Sequence, residues 1–227
     1  MIAALGILLL VLIYTPNFLV HHILRKYSGD LSSIPGSGAE LARHLIERFN
    51  LPGVKVEETK PNNDHYDPND NCVRLSPDVF HGHSLTAIAV ATHEVGHAIQ
   101  FTRNEDISRL RKAYIPKAAA LRRVGIGIMG FMPVVGVIIH VPQIMILTIL
   151  IGILTMLAGA AMYLIILPEE WDASFNKALP ILVKGEYIKP KQEAAVRQIL
   201  GAAAFTYFAG ALADVLSIWR WLAIIRR

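Results

Sequence analysis

The chain has 227 residues, a formal charge of +4 and a single cysteine; 53 % of its residues are hydrophobic and 18 % charged. A lone cysteine, Cys72, excludes an intrachain disulfide and a thiolate metal cluster. No dense Lys/Arg tract with interleaved aromatics is present, which excludes the usual footprint of a nucleic-acid-binding protein.

The apolar residues come in long runs, the mark of membrane spans rather than of one large core. Residues 1–22 begin with such a run, lack a basic start and a small-x-small cleavage site, and read as a retained transmembrane anchor. Residues 23–122 read as a water-soluble domain. Ser37-Gly38-Ala39-Glu40 opens a helix that carries Leu41, Leu45, Ile46 and Phe49 on one side and ends before Leu51-Pro52-Gly53. Val54–Glu57 and Cys72–Ser76 alternate like short strands, separated by a turn-rich stretch from Pro61 to Asn71. They predict a small sheet beside the helix that follows, either with an edge that holds an extended peptide or as a hairpin that only packs.

The next stretch carries the chemistry. Ala91-Thr92-His93-Glu94-Val95-Gly96-His97-Ala98 contains H-E-x-x-H inside a proline-free apolar run, predicting a helix over about 84–101. Residues four apart share a helix face, so His93 and His97 can present two imidazoles to one metal ion. Glu94 lies beside that face, where a carboxylate can take the proton of a zinc-activated water. The metal implied is one Zn2+ per chain.

A charged amphipathic helix follows and reaches Arg122 and Arg123. Residues 123–167 read as a transmembrane hairpin turning at His140-Val141-Pro142-Gln143, with Pro133 expected to kink its first limb. No Lys, Arg, Asp or Glu lies between Val124 and Pro168. Residues 168–198 read as a soluble segment with a helix carrying the acids Glu169, Glu170 and Asp172 as candidates for a third ligand, followed by a short loop bearing Lys177, Lys184, Lys189 and Lys191. Residues 199–227 read as a last span, which contains Tyr207, a packed aromatic, and Asp214, placed against another helix or at the interface. The fold expected is therefore a mainly α integral membrane protein with four transmembrane helices and a soluble, zincin-like α+β catalytic domain holding a small sheet. Arg25, Lys26, Lys117, Arg122, Arg123, Lys191 and Arg197 flank the domain side and predict a multi-pass protein of the cell membrane with a cytosolic catalytic domain; Arg220, Arg226 and Arg227 oppose that orientation.

A catalytic zinc keeps three protein ligands. The longer H-E-x-x-H-x-x-G-x-x-H pattern fails, because Gln100 and Arg103 stand where its glycine and third histidine would be. His65, His81 and His83 are candidates, but the acidic cluster after the hairpin is better placed. HEVGH followed, past two apolar runs, by Pro168-Glu169-Glu170-Trp171-Asp172-Ala173-Ser174 resembles the YugP-type family of membrane zinc metallopeptidases, and more distantly the HtpX and CAAX-processing membrane proteases. The resemblance covers nearly the whole chain, with Trp171 where phenylalanine is usual. It implies that Glu170 is the third ligand beside His93 and His97, with Glu169 the fallback. Asp172 could orient a ligand histidine, whereas Ser174 stands where the distant relatives carry aspartate. The function implied is a membrane-embedded, zinc-dependent endopeptidase acting on protein or peptide substrates at the lipid bilayer. An intramembrane-cleaving metalloprotease and a non-catalytic, metal-stabilised scaffold are the alternatives.

Overall fold

The computed structural model describes residues 15, 18–139 and 142–205. The chain divides into two compact units, one formed by Phe18–Arg109 with Pro168–Phe205, the other by Met1–Asn17, Leu110–Leu167 and Thr206–Arg227.

The first unit is built around one helix. After residues 18–26, which are helical, helix α1 (Gly38–Arg48) starts at Ser37, whose side chain accepts from the Glu40 amide while Glu40 returns a bond to the Ser37 amide. This reciprocal cap satisfies two of the amides that a helix start leaves without partners. Strands β1 (Lys55–Glu58), β2 (His65–Asp67) and β3 (Cys72–Leu75) form a sheet in the order β1-β3-β2. A short turn of helix, α2 (Pro77–Phe80), leads to α3 (Leu85–Thr102), which Ser84 caps through the Ala87 amide. Every residue from Leu85 to Gln100 is buried. A helix apolar all round belongs in a core, and α3 packs against α1, the sheet and the segment that follows Trp171. Leu45, Val73, Leu75, Leu182, Ile199 and Leu200 are among the side chains closing over it. Each such burial contributes roughly 1.5–3 kcal/mol.

Two expectations about this unit change. β1 and β3, which a hairpin would set antiparallel, pair in parallel, and β2, drawn from the turn-rich stretch, runs antiparallel to β3. Arg74 organises that arrangement, reaching Asp67 at 2.5 Å and also Asp70 and Glu57. Nor is the segment after Asp172 a loop. It forms a π-helix (Asp172–Ala178), then α6 (Leu179–Lys184) and a 3₁₀ turn (Pro190–Gln192), and residues 193–205 are helical. Wide π turns are rare and occur mostly at functional sites.

The second unit contains most of α4 (Ser108–Ile139) and α5 (Pro142–Trp171). The expectation of four transmembrane helices is not met: among the described residues, no helix is long and apolar enough to cross a membrane. In α4 the basic residues extend to Arg123, and the remaining turns to Ile139 rise about 24 Å, short of the ~30 Å of a hydrocarbon core. The expected anchor at 1–22, the expected last span at 199–227 with Tyr207 and Asp214, and the His140 turn lie largely or wholly outside the described residues.

Two predictions follow from this packing. A Cβ added at Gly96 would stand 3.0 Å from the Ala173 carbonyl oxygen, so α3 and the π-helix meet through a missing side chain. Gly96→Val should therefore lower stability by about 1–3 kcal/mol, the usual cost of overpacking, read as a fall in Tm; an unchanged Tm would show that the approach is loose. The second concerns acid. Burial pushes the Asp67 carboxyl up, but the Asn69 amide and the Arg74 guanidinium hold it below its ordinary 3.8. Its contribution is full above the unfolded value and is lost as pH falls through the lower folded value. Stability should decline below about pH 4, and Asp67→Asn should flatten part of that decline; identical acid limbs would contradict this.

Candidate metal centre

His93 and His97 lie one turn apart on α3 with their rings nearly perpendicular, at 83° and 4.7 Å between centroids. Glu170 enters from the end of α5, and all three side chains are buried. His93 Nε2 and His97 Nε2 are 3.2 Å apart, and Glu170 Oε2 lies 3.3 Å from each.

The hydrogen bonds behind the rings fix which nitrogen carries the proton. Ser174 Oγ bonds to both His93 Nδ1 (3.1 Å) and the Leu200 carbonyl (3.2 Å). A carbonyl can only accept, so the single hydroxyl proton goes to Leu200 and His93 Nδ1–H donates to Oγ. At His97 the partner is Gln100 Oε1, at 2.9 Å from Nδ1. The Gln100 amide nitrogen faces two acceptors, the Glu169 carbonyl at 3.1 Å and Asp172 Oδ2 at 2.8 Å, which orients the amide and makes His97 Nδ1 the donor. Both imidazoles consequently turn an Nε2 lone pair toward Glu170.

Three lone-pair atoms within 3.3 Å of one another repel unless a cation lies among them. Ligands on bonds of ~2.0–2.1 Å at the tetrahedral angle stand about 3.3 Å apart, which is the observed spacing. Two imidazoles and a carboxylate suit zinc. His93, His97 and Glu170 could hold one such ion, and among the described residues this is the group that converges in that way.

The other expected residues divide. Glu94 is buried on α3 directly after His93. Its charge adds to the burial that pushes the Asp64 carboxyl up, against the bonds Asp64 receives from the Ser76 amide and hydroxyl. Glu169 lies on the other side of His97, with Oε1 3.7 Å from Nδ1 rather than from Nε2. Asp172 meets no histidine directly; it reaches His97 through Gln100. Burial pushes its carboxyl up, but Lys177, Gln100 and Asn176 together hold it below the ordinary value. Ser174 supports His93 although it is not the expected aspartate. His65 bonds to the Asn63 carbonyl and His81 to Glu58, so neither joins the cluster, and His83 is not part of it.

Gln100, Lys177 and Glu105 escaped the sequence reading. Lys177 Nζ bridges Asp172 and Glu105, the latter at 2.7 Å. Gln100 could have been found, since it sits three residues after His97 on the same helix, within side-chain reach. The other two could not, being joined to the site only by the fold.

The comparisons with known proteins agree with this chemistry. No solved structure matches the chain. Among curated proteins it is similar to "Putative membrane protease YugP" of Bacillus subtilis (strain 168), with 35 % identity over 230 residues, covering 98 % of this chain and 93 % of the relative. The sequence model of the family described as "putative neutral zinc metallopeptidase" matches residues 2–226, and the chain belongs to that zinc peptidase family.

Proposed function

We propose that the protein is a zinc-dependent endopeptidase in which His93, His97 and Glu170 bind the metal and Glu94 is the general base. The observation that carries this reading is the ligand count. Among the described residues three donors converge, and three protein ligands with a fourth position for water or substrate are the pattern of catalytic zinc, whereas structural sites close with four. This also weighs against a scaffold whose metal is only structural.

When bound, zinc would polarise the attacking water and the scissile carbonyl. The protein's own part is to place and move protons. Ser174 and Gln100 hold the two imidazoles with their Nδ1 protons turned outward. The Glu94 carboxylate takes the water proton as the oxygen attacks, then delivers it to the departing amine nitrogen. Burial of Glu94 at 6 % exposure removes competing solvent, which strengthens each of these interactions.

Substrates are proteins or peptides, as the peptidase family implies. We place the enzyme at a lipid surface, because the relative is named a membrane protease and because α4 and α5 leave Val124, Phe131, Ile138, Ile146 and Leu154 more than half exposed. Large apolar side chains left exposed along two helices are what a helix facing lipid presents.

Purified wild type should contain about one zinc per chain, and His97→Ala and Glu170→Ala should each lose it or bind it at least tenfold more weakly. Zinc retained in full by both folded variants would remove the ligand assignment. Glu94→Gln should keep its zinc while peptide hydrolysis falls roughly 10²–10⁴-fold. Unchanged turnover in that variant would exclude Glu94 as the base.

A further inference from the structure

Behind His97 lies a connected set of polar side chains that the zinc motif does not require. Gln100 accepts from His97 Nδ1 at 2.9 Å and donates to Asp172 Oδ2 at 2.8 Å. Asp172 in turn receives Lys177 Nζ and the Asn176 amide, and Lys177 is anchored a second time by Glu105. Gln100 is fully buried, and it joins α3 to the π-helix that follows Glu170.

We propose that Gln100 is a positioning residue for the metal, with Asp172 and Lys177 setting its orientation. The physical argument is one of amide polarity. An amide can turn over at little cost in shape, and the turned form would point its NH2 at His97 Nδ1. Nδ1 would then have to become the acceptor and Nε2 would carry the proton, which blocks the nitrogen that faces Glu170. Asp172 and the Glu169 carbonyl, both acceptors beside the amide nitrogen, forbid that flip. Lys177, bonded to both Asp172 and Glu105, holds Asp172 in place. His93 achieves the same tautomer by other means, the Ser174 hydroxyl. The two ligand histidines are therefore locked by two independent devices, and the one at His97 also ties the ligand-bearing segment to the zinc helix. Outer partners of this kind typically alter metal affinity 10–100-fold.

This inference rests on the zinc reading, and the experiment separates the two. Zinc affinity of the full-length protein is measured by chelator competition, and Tm of the metal-free form by calorimetry. The variants are Gln100→Met, which keeps the volume but removes both polar ends, and Gln100→Glu combined with Asp172→Asn, which keeps an acceptor for His97 and moves the amide donor to position 172. Gln100→Met should weaken zinc roughly 10–100-fold, and the double variant should recover at least a third of that loss on a logarithmic scale. Wild-type affinity in Gln100→Met would overturn the proposal. So would a Tm loss in the metal-free form that the double variant leaves in place together with weak binding, because the role would then be packing alone. If wild type itself binds no zinc, the metal assignment fails and this inference with it.

Discussion

The structure depends on keeping three mutually repulsive donors, two imidazole nitrogens and a carboxylate oxygen, within 3.3 Å of one another inside a core. Burial alone would scatter them, since each polar group taken from water without a partner costs several kcal/mol. What holds them is a set of outer bonds that commit every other polar atom of the rings. Ser174 takes one imidazole N–H and Gln100 the other, and the Leu200 carbonyl and Asp172 fix those two in turn. The apolar packing around α3 makes the arrangement rigid, and Gly96 lets the Glu170-bearing segment come close enough to complete it.

That dependence explains why a helix with two histidines and a glutamate is buried almost end to end. Exposed imidazoles on a surface helix would be solvated and free to rotate. Buried ones are stiff, and their tautomers are set by the Ser174 and Gln100 partners behind them. The same low-dielectric setting is what a general base beside a Lewis acid requires. Stability and chemistry thus draw on one set of contacts, so changes at Gly96 or Ser174 should affect both.

How much of this was legible in the sequence follows from the distance over which each feature is decided. Helices α1 and α3 were readable, with starts at Ser37 and Ser84, because capping and a 3.6-residue apolar period are local. The H-E-x-x-H spacing likewise put His93 and His97 on one helix face, where the structure brings their rings together. Glu170, 73 residues from His97, needed a family likeness to single it out from Glu169 and Asp172. Strand β2 is three residues long in a stretch of Asn, Asp and Pro, and only its pairing with β3 makes it a strand. The π-helix has no local signature. The four-span expectation is not met among the described residues, where no helix is long and apolar enough to cross a membrane; the outer two expected spans lie largely outside those residues. The meeting of α3 with the Glu170 segment arises from direct packing within one unit, which no local pattern records.

X-ray absorption at the zinc edge, on zinc-loaded wild type and on Glu170→Ala, tests the central assignment most directly. The account predicts two imidazole nitrogens and carboxylate or water oxygen at about 2.0–2.1 Å with no sulfur, and loss of the carboxylate contribution in the variant. A wild-type spectrum lacking two imidazoles, or one that Glu170→Ala leaves unchanged, would contradict it.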